Sequence, residues 1–315
     1  MTSRLALGFT LATAFAMAAC TTACSRQERA RATRGTSTGT EGPTASPTFK
    51  GSRVLQWDVE GPSGAIDRVA VLVPQGAPQG ARFPVLVALH GRGEAIKSPA
   101  EGAMGWPRDY AMQKQIDRVA SPPLTEADFE AFVDAEHLAR LNASLAVHPY
   151  AGLIVVCPHV PDMNPNGGEV RAVARYIVER ILPRVRAETP ALGTPESTAI
   201  DGVSMGGALA LRIGLTNPDV FGAVGALQAA IGDEQVQELT ELATAALVRR
   251  PSLALRLVTS HEDYFREPIA LLSAAWKAAH VPHDFADVPG PHDYAFNRGP
   301  GSIELLTWYD RVLRR

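Results

Sequence analysis

Cysteine is scarce in this chain of 315 residues, with only Cys20, Cys24 and Cys157. No C-x-x-C pair and no cysteine–histidine cluster is present, which excludes a disulfide framework and gives no reading of a metal site or other cofactor. Cys157 ends an apolar segment and is expected to be a small core residue. An excess of charge is also missing: 30 Lys and Arg stand against 33 Asp and Glu, for a formal net charge of −3. That balance offers nothing to nucleic acid or to an anionic membrane surface. From residue 30 onward no apolar run is long enough to cross a bilayer. Hydrophobic residues still make up 46% of the chain, enough for a sizeable core. An α/β sheet commonly takes about 250 residues as one domain, so the length does not require two.

The first fifty residues differ from the rest. Arg4 precedes an apolar stretch over 5–19 that is too short and too small-sided to span a membrane, and 1–19 reads as a signal peptide. Met17-Ala18-Ala19-Cys20 resembles a bacterial lipobox, with Cys20 at the lipidated position. Ala16-Met17-Ala18 equally fits a cleavage site that would release an unanchored protein. Both readings place the protein outside the cytoplasm. Residues 20–50 are rich in Thr, Ser, Gly, Pro, Arg and Ala, and predict a disordered tether. The folded domain is expected over 51–315.

Along that domain, 54–60 and 68–74 predict an N-terminal antiparallel pair. Residues 83–89 and 153–157 are continuous apolar runs of the kind buried on both faces of a parallel sheet. Residues 170–186 carry helical spacing in Val173, Ile177, Ile181 and Val185, with Pro183 placed to kink them. Further strands are expected at 197–201, 221–227, 253–259 and 283–288. Strands alternating with helices indicate βαβ units, a mostly parallel central sheet with helices on both faces. The segment 94–150 interrupts the pattern as an insertion after the third strand, with 125–143 as one helix capped by Thr125. It is either a lid over the site, with Trp106 and Tyr110 in the pocket, or a small satellite core.

The chemistry centres on Gly202-Val203-Ser204-Met205-Gly206-Gly207. G-x-S-x-G lets a chain turn sharply from strand into helix with a strained serine at the apex, and the flanking glycines are a steric requirement. A serine nucleophile needs a base, an acid to orient it and donors for the developing oxyanion. In the α/β-hydrolase arrangement these follow in the order oxyanion loop, serine, acid, histidine. Here His90-Gly91-Arg92-Gly93 follows 83–89, Asp263 follows 253–259, and His292 follows the last strand. Ser204, Asp263 and His292 are therefore the expected catalytic residues, with the N–H of Met205 and that of Gly91 or Arg92 as oxyanion donors. Glu262 competes with Asp263 for the acid. His90 is expected to orient its loop, His159 to line the pocket, and Asp201 to be a turn or surface residue.

Ser204-Met205-Gly206-Gly207, with Asn217-Pro218-Asp219-Val220-Phe221 and Gly290-Pro291-His292-Asp293-Tyr294, resembles the esterase D and antigen 85 branch of the α/β-hydrolases. That branch includes feruloyl esterases, S-formylglutathione hydrolases and polyhydroxybutyrate depolymerases. The resemblance runs from about Val54 to the C-terminus and implies the α/β-hydrolase fold. Gln228-Ala229-Ala230 stands where the family often has serine-glycine, and the stretch before Gly152 is longer than the family core. The activity implied is hydrolysis of a small or polymeric carboxylic ester through an acyl-enzyme. Acyl transfer to a sugar hydroxyl, a serine peptidase and a non-catalytic binding lipoprotein use the same residues or the same fold.

Overall fold

Residues 51–165 and 167–314 are described by the structure, a computed structural model. The expected signal peptide, tether and Cys20 lie outside these described residues. Eight strands form one sheet in the order β1 (Ser52–Glu60), β2 (Ile66–Pro74), β4 (Ile154–Pro158), β3 (Val85–Leu89), β5 (Thr198–Gly202), β6 (Ala223–Leu227), β7 (Ala254–Glu262) and β8 (Asp284–Pro291). The pairs β1–β2 and β2–β4 are antiparallel, and all others are parallel. This is the mostly parallel sheet expected from the alternation of apolar runs with helices.

The apolar runs are buried on both faces because each strand divides its side chains between two cores. Val85, Val87 and Leu89 of β3 join one core, while Leu86 and Ala88 join the other. The first core packs against helices Met205–Thr216, Val236–Arg249 and Arg266–Ala278. The second packs against helix Ser302–Val312 and the residues of the 94–150 insertion.

The chain passes from β3 to β4 on one side and returns to β5 on the other. A sheet that reverses its winding in this way opens a crevice beyond the carboxyl ends of the strands at the switch. Leu89 of β3 lies opposite Gly202 of β5, so the loops leaving both strands start side by side.

Two local expectations change. Residues 170–188 form a helix at Val170–Arg175, a π-helical turn at Tyr176–Ile181 and a helix again at Leu182–Glu188. Proline lacks the N–H and its ring presses on the preceding turn, so the widened turn lies just ahead of Pro183. The single helix expected over 125–143 is two elements, a 3-10 turn Glu126–Phe129 and a helix Ala135–Val147. Thr125 does cap the first, with Asp128 Oδ2 accepting from the Thr125 N–H at 2.8 Å and from its hydroxyl at 3.0 Å. Glu130 and Ala131 then take positive φ, which ends the turn, and Asp134 caps the second helix by accepting from the His137 N–H at 2.7 Å.

The insertion is part of a main core and not a satellite of it. Trp106, Tyr110, Met112, Ile116, Val119, Leu124, Phe129 and Leu145 lie in the same core as Ile303, Leu305, Leu306 and Tyr309 of the C-terminal helix. Polar contacts fasten it further: Ser302 Oγ donates to Tyr110 O at 2.9 Å, and Gln115 Nε2 to Arg298 O at 2.6 Å. His137 Nε2 lies 2.6 Å from Glu304, which also pairs with Arg256. Burial alone would raise the Glu304 pKa, yet Arg256 and His137 hold it down at about 2. Since the insertion completes a main core, Phe129→Ala is expected to lower unfolding stability by about 3–5 kcal/mol. Urea denaturation measures this, and an unchanged midpoint would return the insertion to a dispensable cover.

Candidate active site

Ser204 occupies the turn between β5 and helix Met205–Thr216 with φ 57° and ψ −119°. A non-glycine residue there is strained and has to be held from several sides. The Ser204 N–H donates to Leu227 O at 3.0 Å, and Ser204 O accepts from Ala208 at 3.1 Å and from Ala230 at 2.9 Å. Gly206 packs so closely that a Cβ would meet His90 O and Leu89 O at 2.5 Å. At Gly202 a Cβ would lie 2.5 Å from the Gly206 backbone. The two glycines of the motif are thus fixed by backbone approach on both sides of the serine.

The loop after β3 reaches the same place. A Cβ on Gly91 would lie 3.7 Å from Ser204 Cβ. His90 is buried, and its Nε2 accepts from the Val160 N–H at 3.0 Å, so Nδ1 carries the proton and donates to Gly91 O at 2.9 Å. Burial pushes the His90 pKa down to about 4, which keeps the ring neutral in this role. The Gly91 N–H donates to Tyr110 Oη at 3.3 Å. Arg92 and Met205 each begin a helix, where the first N–H groups have no intrahelical acceptor.

On the far side of the turn, His292 Nδ1 lies 2.7 Å from Asp263 Oδ1. The Asp263 side chain is fully enclosed. Its Oδ2 accepts from Thr259 Oγ1 at 2.7 Å and its Oδ1 from the Phe265 N–H at 3.0 Å. Glu262, the rival acid, is exposed. The rings of Tyr264 and Phe265 flank His292 at 5.2 and 5.5 Å. A cleft of about 730 Å³ opens beside the serine, lined by Ser204, Met205, Arg92 and Phe265 together with residues of 162–165 and 230–235. Arg92 and Asp162 face each other at its rim through hydrogen bonds of 2.9 and 3.0 Å.

Residues 156–276 match the family described as "Putative esterase". The fold is similar to that of a ferulic acid esterase, with TM-score 0.62 and 17% identity, over 84% of this chain and 99% of that one. An S-formylglutathione hydrolase from Staphylococcus aureus gives TM-score 0.60 and 16% identity, over 83% and 100%. The enterobactin esterase of Shigella flexneri gives 0.57 and 17%, over 85% of this chain and 62% of that one. The chain has the α/β-hydrolase fold shared by these esterases and hydrolases. None of the curated proteins matches it in sequence.

Three residues expected to line the pocket are absent from the cleft wall. Trp106 is fully buried and donates from Nε1 to Leu89 O at 3.0 Å. Tyr110 is buried beneath Gly91. His159 is buried too, with Nδ1 2.7 Å from Asp67 Oδ1. Trp106 and Tyr110 support the end of β3 and the Gly91 loop from behind, and His159 stands beside His90 with ring centroids 5.6 Å apart. The cleft wall comes instead from Met163, Asn164, Pro165, Ile231 and Gln235, whose loops carry no motif. Gln228, to which the sequence assigns no role, also lies at the site. It is fully buried with φ 44°, and its Nε2 donates to Ser260 Oγ at 2.6 Å and to Pro291 O at 2.9 Å, next to His292.

Asp201, expected at a turn or surface, is buried in β5 behind the serine. Its Oδ2 accepts from Tyr309 Oη at 2.8 Å and its Oδ1 from the Gly202 N–H at 2.6 Å. Burial outweighs these contacts and raises its pKa to about 7. An acid whose pKa is raised on folding contributes stability that is fully present below its ordinary value and lost as pH rises through the raised one. Asp201→Asn keeps the shape of the protonated acid. Thermal melts at pH 5 and pH 8 are therefore expected to lie closer together in this variant than in the parent, and an equal or wider gap would contradict the assignment.

Proposed function

We propose that the protein is an esterase, which cleaves carboxylic esters in two steps through an acyl-enzyme on Ser204. His292 takes the serine proton during attack and returns it to the leaving alcohol, and then activates water against the acyl-enzyme. Asp263 holds the imidazole by Nδ1 and stabilises the imidazolium that forms. The observation that carries this reading is the enclosed Asp263–His292 pair, whose neighbour Phe265 lines the cleft that Ser204 opens into. Met205 and Arg92 N–H groups are the oxyanion donors, each worth roughly 3 kcal/mol of transition-state stabilisation. The cleft walls mix apolar Met163, Pro165, Ile231 and Phe265 with charged Arg92, Asp162 and Glu234, which suits an ester with a polar group beside its acyl chain.

Ser204→Ala is expected to abolish hydrolysis of p-nitrophenyl esters and labelling by a fluorophosphonate, with the melting temperature little changed. His292→Ala should cost as much, since members of a triad act as a unit. Asp263→Asn should cost less but still about a thousandfold or more. Turnover by Ser204→Ala above a thousandth of the parent rate would remove the serine from the mechanism.

The same proposal covers where the enzyme works. Among the described residues no helix is long and apolar enough to cross a membrane. Arg4, the small-sided stretch 5–19 and Cys20 at its end support export followed by lipid attachment at Cys20, with 20–50 as the tether. A single acyl chain anchors only marginally, so stable attachment takes the further chains of a lipoprotein. Cys20→Ser is expected to shift an active enzyme from the membrane to the soluble fraction. Intact mass of the parent N-terminus decides it, because an unmodified chain starting at Ala19 would leave only simple secretion.

A further inference from the structure

Glu94 is 1% exposed and has no part in the proposed mechanism, yet three segments of the site converge on it. Tyr110 Oη donates to its Oε2, and Tyr294 Oη donates to its Oε1 at 2.5 Å. Lys97 Nζ neutralises it at 3.4 Å and also reaches Asp109 Oδ2 at 3.0 Å and Tyr294 Oη at 3.4 Å. Tyr110 in turn accepts the Gly91 N–H. Tyr294 lies two residues after His292. The carboxylate thus joins the loop before Arg92, the insertion and the segment that carries the base.

Close packing keeps this clamp in place. A Cβ on Gly105 would lie 2.6 Å from Glu94 Cγ, and one on Gly93 would lie 3.0 Å from Tyr294 Oη. The rings of Tyr110 and Tyr294 meet edge to face at 5.6 Å, and Trp106 abuts Tyr110 at 4.9 Å. Charge-assisted hydrogen bonds in so enclosed a place are strong and directional. With its N–H spent on Tyr110, Gly91 is not an oxyanion donor, and the task falls to Arg92.

We infer that Glu94 is a positioning residue, which through Tyr110 and Tyr294 fixes the Arg92 N–H relative to His292. The inference rests on the serine-esterase reading above. Both groups act on the tetrahedral intermediate, one on its oxygen and one on its protons, so their mutual placement matters more in the transition state than in the bound ester. Loosening the clamp should lower kcat and leave KM nearly unchanged.

The test uses Tyr294→Phe, which removes one hydroxyl at a half-exposed position, and Glu94→Gln, which removes the charge. With p-nitrophenyl acetate, kcat is expected to fall on the order of tenfold for Tyr294→Phe and a hundredfold for Glu94→Gln, as for a reacting group misplaced by ~1 Å. KM should stay within about twofold, because binding common to ground and transition states is untouched. The affinity of a trifluoromethyl ketone, which adds to the serine as a tetrahedral oxyanion, should weaken by the same factor as kcat. A merely structural role would lower the melting temperature without that parallel loss. Folded variants with unchanged kcat and ketone affinity, or a fall in kcat with ketone affinity intact, overturn the inference. If Glu94→Gln fails to fold, Tyr294→Phe decides alone. Fluorophosphonate labelling of Ser204 in the parent separates the two levels: without it the esterase mechanism falls and the inference with it, whereas a labelled parent with unaffected variants sinks the inference alone.

Discussion

The strained turn at Ser204 is the constraint on which the rest of the site depends. Holding a non-glycine residue at φ 57° and ψ −119° costs about 1–3 kcal/mol, which the surroundings have to offset. They do so with backbone. Leu227 of β6 accepts the Ser204 N–H, Ala230 donates to its carbonyl, and Leu89 and His90 press against Gly206. These contacts draw the ends of β3, β5 and β6 into one place. The approach that supports the strain therefore also brings the Gly91 loop beside the serine hydroxyl. A larger residue at Gly206 would push the elbow away from the oxyanion loop, so strain and catalytic geometry cannot be separated by mutation there.

Much of the fold was legible because its signals are local. Apolar runs bounded by glycine or proline marked the strands, and the order of loops after them marked Ser204, Asp263 and His292 as candidates. The choice between Glu262 and Asp263 was not legible. β7 pairs regularly with β8 up to Ser260 and then shifts register before Glu262 meets Pro291. The extra residue lies on β8, where Gly290 takes a positive φ, and nothing in Ser260-His261-Glu262 itself says which of the next two acids turns inward. Thr259 and the Phe265 N–H, which hold Asp263 in place, are contacts that the sequence does not display.

The packing of the insertion is not legible for a related reason. Aromatic residues in a long segment after an oxyanion strand suit a pocket wall as well as they suit a core, and composition does not say which sheet surface they cover. The C-terminal helix settles it, since Ile303, Leu305 and Tyr309 require a partner on their own face of the sheet and the insertion supplies it. The cleft wall escaped notice in the opposite way. Asp162 to Pro165 and Ala230 to Gln235 are loops of mixed polarity without periodicity, placed at the site only by where β4 and β6 end.

On the proposed esterase mechanism, this division of labour bears on how the protein can change. Behind the serine the polar groups are buried and mostly paired: His90 with Gly91 and Val160, His159 with Asp67, Asp201 with Tyr309, and Glu94 with two tyrosines and Lys97. Removing one partner from such a set leaves the other without its hydrogen bond in a water-poor setting, at a cost of about 1–3 kcal/mol. In front, the wall is built from loop residues, and its ion pair is solvent-exposed on the Arg92 side, where a surface pair contributes little. Substitutions that alter which ester fits can accumulate in the loops with small losses of stability, whereas those behind the serine cannot. The geometry for attack is thus tied to the core, and specificity is left to segments that the core does not need.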